Sequence, residues 1–200
     1  DIDLLYDVQA AVGLARQRNE RVTKNVLVTG ASGFLGRHVV HALEPDYVVF
    51  APTQQQLRLV DDLPLLDLYV CQHEIDYIVH LAHPRKRRDT ASMAAAVAML
   101  KNLLEVSRRH TLGVLYASGL VVFSGYRAND IITASRELPA RPVGTYAETK
   151  YLCEALAELY RDQHGLSVTV LRLGAAYGSG MPETTVLRKF IDLARRGALI

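Results

Sequence analysis

Residues 25–36 read Asn25-Val-Leu-Val-Thr-Gly-Ala-Ser-Gly-Phe-Leu-Gly36, and the fold follows from them. Val26, Leu27 and Val28 are a short run of β-branched and aliphatic residues, as a buried strand requires. Gly30, Gly33 and Gly36 then recur at three-residue spacing before an apolar helical pattern begins at Phe34. The stretch predicts a strand, a tight turn and a helix start. Such a turn serves a phosphate group: missing Cβ atoms let the backbone come close to the anion, and free N–H groups at the positive end of the helix dipole hold it.

Working outward, Phe34 to Leu43 predict a helix stopped by Pro45, and Tyr47 to Phe50 a second strand. In a dinucleotide-binding unit the tip of that strand faces the adenosine ribose, where an acid would bind the hydroxyls of NAD and repel the extra phosphate of NADP. Here the tip reads Ala51-Pro52-Thr53-Gln54, and the first acid after Asp46 is Asp61. This tilts the expectation modestly to NADP, with Arg37 as the nearest basic substitute for a missing tip arginine. Leu65 to Glu74 read as a helix with Pro64 at its first position, and Asp76 to Ala82 as an apolar strand. Thr90 to His110 predict a long helix with an apolar stripe and Gly113 to Ser118 the next strand. A helix through Tyr151 to Tyr160, with Gly165 as its C-cap, precedes a last strand over Ser167 to Leu173. Strands alternating with helices, several of them continuously hydrophobic, mean an α/β fold: a parallel sheet covered on both faces, with ligands at the carboxyl ends of its strands.

The 200 residues suit one large domain, and half of them are hydrophobic. Domain organisation is read as a helical N-terminal extension over residues 1–23 followed by one domain over 24–200. A net charge of +2 argues against a nucleic-acid partner, which calls for a concentrated basic face. The dense run Arg85-Lys86-Arg87-Arg88 reads as a solvated loop before it reads as an anion site. Cys71 and Cys153 stand far apart and in no metal-ligand spacing, so a reducing compartment and no structural metal are expected. Asp1, Asp3 and Asp7 carry the wrong charge for a secretory leader, and the chain has no 18-residue apolar run. A cytoplasmic protein with no membrane partner is the expectation.

Tyr146 and Lys150 lie four apart at the start of the helix that opens near Thr145, hence on one face of its first turns. A lysine ammonium beside a phenol favours the phenolate, which makes tyrosine usable as a proton acceptor or donor. The segments Thr29-Gly-Ala-Ser-Gly-Phe-Leu-Gly36, His80-Leu-Ala82, Asn102-Leu-Leu-Glu105, Tyr146-Ala-Glu-Thr-Lys150 and Leu171-Arg-Leu-Gly-Ala-Ala-Tyr-Gly178 together resemble the extended short-chain dehydrogenase/reductase family, in its NAD(P)-dependent sugar epimerase/dehydratase branch. The resemblance spans residues 24–200. It implies a Rossmann-type doubly wound sheet, an NAD(P) cofactor, and hydride transfer at a sugar carbon of a nucleotide-linked substrate. By the same resemblance Gly30, Ser32, Gly33, Phe34, Leu35, Gly36, Leu81 and Ala82 hold the cofactor together with Tyr146 and Lys150. Tyr146 is then the acid/base, Lys150 its helper, and Ser118 the third catalytic candidate. The long helix from Thr90 and the helix through Tyr151 correspond to the pair that forms a homodimer interface in many relatives.

The chain departs from the family pattern in several places. Counting four back from Phe123, where the family has a Ser or Thr, gives Gly119; Ser118 fills the role if the loop holds one extra residue, and Ser124 is the other nearby hydroxyl. Leu120 and Val121 replace the acid pair that eliminates water in the dehydratases, and Val121 cannot replace the cysteine of the GDP-fucose synthase type, which Gln56-Leu-Arg-Leu-Val-Asp61 otherwise resembles. His83 stands where the family has a small residue. The chain also stops where relatives continue into a smaller substrate domain, which is therefore largely absent. Oxidation–reduction or 4-epimerisation remains, with a catalytically weak NAD(P)-binding regulatory or scaffold protein as the alternative.

Overall fold

A computed structural model describes residues 23–84, 89–126, 141–183 and 185–197. The N-terminal extension and the run Arg85-Lys86-Arg87-Arg88 lie outside these described residues. The element order is β1 (Lys24–Thr29), α1 (Phe34–Leu43), β2 (Tyr47–Phe50), α2 (Leu63–Gln72), β3 (Tyr77–His80), α3 (Thr90–His110), β4 (Gly113–Gly119), a 3-10 turn (Leu120–Phe123), α4 (Thr145–His164), β5 (Val168–Leu173) and α5 (Val186–Arg195). The five strands are all parallel and lie in the order β2-β1-β3-β4-β5. From β1 the chain moves to one side to form β2, then crosses back to lay β3 on the other side. The carboxyl ends of β1 and β3 therefore flank the switch point, where open α/β sheets bind their ligands.

The two-residue period of each strand sends alternate side chains to opposite faces. Val26 and Val28 pack with Val39 and Leu43 of α1 on one face. Leu27 and Ile78 pack with Leu66 of α2 and Leu103 of α3 on the other. Further along that face, Val114 and Tyr116 of β4 meet Leu100 and Leu104 of α3 and Cys153 and Ala157 of α4. Helices thus cover both faces, which is why the strands read as unbroken apolar runs.

Helices α1 and α3 and strand β2 run over the expected residues; the other boundaries shift for local reasons. Helix α2 begins at Leu63, two residues early, because the Asp62 carboxylate accepts a 2.9 Å hydrogen bond from the Leu65 N–H and caps it there. Strand β3 starts one residue later than expected because Asp76 is spent on the β1 backbone, its carboxylate accepting from the Asn25 N–H at 2.9 Å. Leu57 and Leu59 are buried in the core without belonging to a strand, and Asn102 of α3 holds that segment by donating to the Leu59 and Val60 carbonyls at 2.8 and 2.9 Å. Helix α5 was not expected from the sequence. It buries none of its residues and exposes Val186, Leu187, Phe190 and Leu193 along one side.

Candidate active site

The glycine turn is built so tightly that side chains are excluded from it. Gly30 adopts φ +75°, and a Cβ there would lie 2.6 Å from the Ala82 nitrogen. A Cβ on Gly36 would lie 2.1 Å from the Gly30 carbonyl oxygen. The first glycine therefore presses against the segment leaving β3, and the third lets α1 sit directly on the turn. Gly33 is the N-cap of α1; no side chain caps the helix and no acid stands in its first turn. The N–H groups of Phe34, Leu35 and Gly36 are the orphan donors that an uncapped helix start presents to an anion. A dinucleotide pyrophosphate fits this cradle.

The turn is tied to its neighbours by buried polar contacts. Thr29 and His80, in register across β1 and β3, share a 2.7 Å hydrogen bond between Oγ1 and Nδ1. Burial, with the nearby charges of Lys150 and then His83, holds the His80 imidazole down to about 3, so it is neutral at ordinary pH. Its ring stacks on Tyr116 of β4 with centroids 5.8 Å apart. Burial also pushes the Tyr116 phenol well up, so that residue is a neutral platform.

Lys150 rests on that platform. Its side chain is buried, Nζ donates to the Ala117 carbonyl at 2.7 Å, and the ammonium sits 4.9 Å from the Tyr116 ring centroid and 6.0 Å from that of Tyr146. Helix α4 thus brings Lys150 and Tyr146 to the carboxyl end of β4 as the spacing of four predicted. His83 closes the other side of Tyr146, its ring perpendicular to the phenol with centroids 5.0 Å apart.

Ser118 is buried at the end of β4, and its Oγ has no hydrogen-bond partner among the described residues. An orphaned buried hydroxyl at the open end of a sheet is a group held in reserve for a ligand. Ser124 is committed elsewhere: its Oγ accepts from the Val143 N–H at 2.9 Å and donates to the Val143 carbonyl at 3.3 Å, tying the loop to the start of α4. Of the two hydroxyls considered from the sequence, Ser118 is the one left for the site. Arg37, the basic substitute considered for the ribose phosphate, donates instead to the Gly180 carbonyl, while His38 donates to that of Ser179 at 3.1 Å. Leu81 and Ala82 line the turn as expected, and Ser32 is exposed on it.

Two further features were not anticipated. Glu154, one turn beyond Lys150 on α4, is buried and accepts from Arg172 Nε and Nη2 of β5 at 3.0 and 2.9 Å. Arg172 is the register partner of Ser118, so this ion pair braces the strand ends beneath the site. Its signal in the sequence was an acid at i+4 from Lys150, which alone reads as a solvated helix face.

A family model described as the NAD dependent epimerase/dehydratase family matches residues 26–199. The chain belongs to that family. Within the epimerase/dehydratase family it is 27% identical over 165 residues to the uronate dehydrogenase of Pseudomonas syringae, covering 76% of this chain and 59% of that protein. Among solved structures it resembles the Thermus thermophilus UDP-glucose 4-epimerase in complex with NAD, with TM-score 0.73 and 20% identity over 88% of this chain and 64% of that one. It also resembles the Bacillus anthracis dTDP-4-dehydrorhamnose reductase in complex with NADP, with TM-score 0.73 and 19% identity over 89% of this chain and 62% of that one. At such identities the structures speak for the fold: the five-stranded parallel sheet with its helices is the Rossmann-type arrangement expected of an epimerase/dehydratase. One neighbour holds NAD and the other NADP, so a nicotinamide cofactor fits either way. The chain spans about three-fifths of the length of these relatives.

Proposed function

We propose that this chain carries the catalytic, cofactor-binding part of an NAD(P)-dependent oxidoreductase or epimerase that acts on a nucleotide-sugar by hydride transfer, with Tyr146 as acid/base. The observation that carries the reading is the buried Lys150 ammonium, held between the Tyr116 and Tyr146 rings beside a cradle that admits only backbone. The cofactor residues are Gly30, Ser32, Gly33, Phe34, Leu35 and Gly36 of the turn, Leu81 and Ala82 behind it, and Tyr146 and Lys150. The absence of an acid in Ala51-Pro52-Thr53-Gln54 favours NADP.

When bound, the nicotinamide accepts a hydride from the substrate carbinol or returns one to a carbonyl. In the oxidative direction Tyr146 takes the hydroxyl proton as the C–H bond yields its electron pair, and in the reductive direction it gives that proton back to the carbonyl oxygen. Lys150 stabilises the phenolate charge through the site's low dielectric and stays in place through its bond to Ala117. Ser118 donates to the reacting oxygen. Epimerisation uses the same residues twice, the ketone turning over between the two steps. Dehydration would need an acid and base that Leu120 and Val121 do not offer.

The same reading makes the protein a homodimer through α3 and α4. Leu152 and Leu159, seven apart on α4, expose their side chains on one face. Among the described residues no helix is long and apolar enough to cross a membrane.

The test is a calorimetric titration with NAD+, NADP+, NADH and NADPH, followed by turnover of UDP-, GDP- and dTDP-sugars. Binding of the dinucleotides with NADPH tightest, and reduction or epimerisation of one sugar class, is the expected result. Binding without turnover of any sugar would favour the regulatory or scaffold reading; no binding by a folded chain would overturn both.

A further inference from the structure

We infer that His83 is a substrate-contacting residue that selects a carboxylate on the carbon next to the reacting carbinol. The inference rests on the reading of Tyr146 as the acid/base for a nucleotide-sugar, and it names the substrate class: sugar acids rather than neutral sugars.

His83 is fixed in place rather than hanging from a loose loop. Leu81 and Ala82, the two residues before it, are wedged against Gly30, where even a Cβ would come within 2.8 Å of both. Its ring is half-buried and perpendicular to Tyr146 at 5.0 Å between centroids. A substrate whose hydroxyl meets the Tyr146 oxygen must present the substituents of its neighbouring carbon to the walls flanking that phenol, and His83 is one of those walls.

The chemistry of the surroundings chooses the substituent. The carboxylates that α4 brings to this end are already neutralised, Glu148 by Arg141 at 3.2 Å and Glu154 by Arg172. The Lys150 ammonium donates to a neutral carbonyl, so its positive potential reaches the pocket. His80 is sealed under the sheet against Thr29 and held neutral, which leaves His83 as the imidazole at the pocket wall. An imidazole N–H beside an ammonium, with the neighbouring acids paired off, is complementary to an anion. It would pair with a carboxylate through a charge-assisted hydrogen bond, where a hydroxymethyl group gains only a neutral one.

UDP-glucuronate and UDP-glucose differ only in that group, a carboxylate against a hydroxymethyl beside C4, and supply the test. Each is titrated into the chain saturated with NADH or NADPH, whichever binds more tightly, so that no oxidation can occur. The His83 Cε1–H resonance is followed by NMR. UDP-glucuronate is expected to bind at least about tenfold more tightly than UDP-glucose, as a hydrogen bond to a charged group allows, and to shift the His83 resonance when UDP-glucose does not. His83→Ala is expected to remove that preference while leaving the reduced cofactor's affinity within about twofold, and His83→Gln to keep part of it. Equal affinities for the two sugars, or a preference that survives His83→Ala, would overturn the carboxylate assignment and leave the oxidoreductase reading standing. An equal loss of both sugars in His83→Ala would mean that His83 only packs against Tyr146. Failure of a folded chain to bind either reduced cofactor would overturn the underlying reading instead.

Discussion

Thr29 and His80 share a buried hydrogen bond across the two strands that flank the switch point, joining the glycine turn to the platform under Lys150. His80 cannot easily ionise there, its imidazole being held down to about 3 by burial first and by Lys150 and His83 after it. The unfolded chain protonates the same ring near its ordinary value of 6.5. Between those two values the unfolded state binds the extra proton, so the contribution is intact above pH 6.5 and is lost as pH falls toward 3. We expect urea-denaturation stability to drop from pH 6.5 to 4.5 with a slope of up to roughly 1.4 kcal/mol per pH unit from this residue. His80→Gln, measured beside the wild type, is expected to be less stable at pH 7 and to have a visibly shallower acid slope. An unchanged slope would show that His80 does not carry it.

The three glycines of the turn are not equivalent, and substitution should separate folding from binding. Gly36→Ala drives a methyl group to within 2.1 Å of the Gly30 carbonyl oxygen, so α1 must lift off the turn, at a cost of about 3 kcal/mol or more. Gly33 has backbone angles open to any residue, with the Gly30 oxygen 3.1 Å from a new Cβ. Gly33→Asp caps α1 with its own carboxylate and places that charge where the pyrophosphate would sit. Its thermal midpoint is expected within a few degrees of wild type while dinucleotide affinity falls about a hundredfold or more. Retained affinity in Gly33→Asp would move the cofactor away from this turn.

Tyr146→Phe and Ser118→Ala should fail in different ways. The first removes the proton carrier, for an expected loss of about three orders of magnitude in kcat, with cofactor affinity unchanged. The second removes a donor to the reacting oxygen, for a loss of about two orders. Because the Ser118 hydroxyl is buried without a partner in the described structure, Ser118→Ala is also expected to leave stability the same or slightly higher. A clear loss of stability in Ser118→Ala would assign that hydroxyl a structural contact instead. Steady-state kinetics on the sugar found active, with chemical denaturation alongside, measure all of these.

Much of this architecture was legible in the residues themselves, and the exceptions share a cause. Strand β1, the glycine turn and α1 announce themselves locally: the backbone there accepts few alternatives, and only glycine fits the contacts between Gly30, Gly36 and Ala82. The Tyr146–Lys150 pair was readable because helical spacing puts the two on one face whatever else happens. Asn102, Glu154 and Arg172 were not readable, since each acts on a partner 18 to 43 residues away in sequence. Pattern reading sees a polar residue in a helix or strand and assigns it to solvent; only the fold reveals the carbonyl or the ion that it meets. Helix α5 escaped for the opposite reason. No burial in the described structure supports its apolar stripe, so its sequence reads as well for a loop end as for a helix.

Glu154 and Arg172 make the clearest stability prediction outside the glycine turn. Glu154 is 2% exposed and Arg172 13%, so removing one partner strands the other away from water. Glu154→Ala is expected to destabilise the domain by about 3 to 5 kcal/mol, whereas exchanging both residues for apolar ones of similar volume is expected to be far milder. Thermal denaturation of the single and double variants checks this, and equal losses in both would mean that packing rather than charge sets the cost.

Cofactor choice turns on the tip of β2 rather than on Arg37. The Arg37 guanidinium is committed to the Gly180 carbonyl and stacks 5.6 Å from the Phe34 ring, a position that follows α1 rather than the adenosine end. Arg37→Ala is therefore expected to weaken NAD and NADP alike, by about threefold or less for an exposed residue of this kind. Ala51, the first residue beyond the strand, is exposed at the place where an acid would meet the ribose hydroxyls. Ala51→Asp adds a hydrogen-bond acceptor for NAD and a repulsive charge for the extra phosphate of NADP. The ratio of NADP to NAD affinity is expected to fall by about tenfold or more in Ala51→Asp, read by calorimetry with both cofactors. A selective loss of NADP in Arg37→Ala would return the phosphate contact to that arginine, and an unchanged ratio in Ala51→Asp would place the ribose away from the β2 tip.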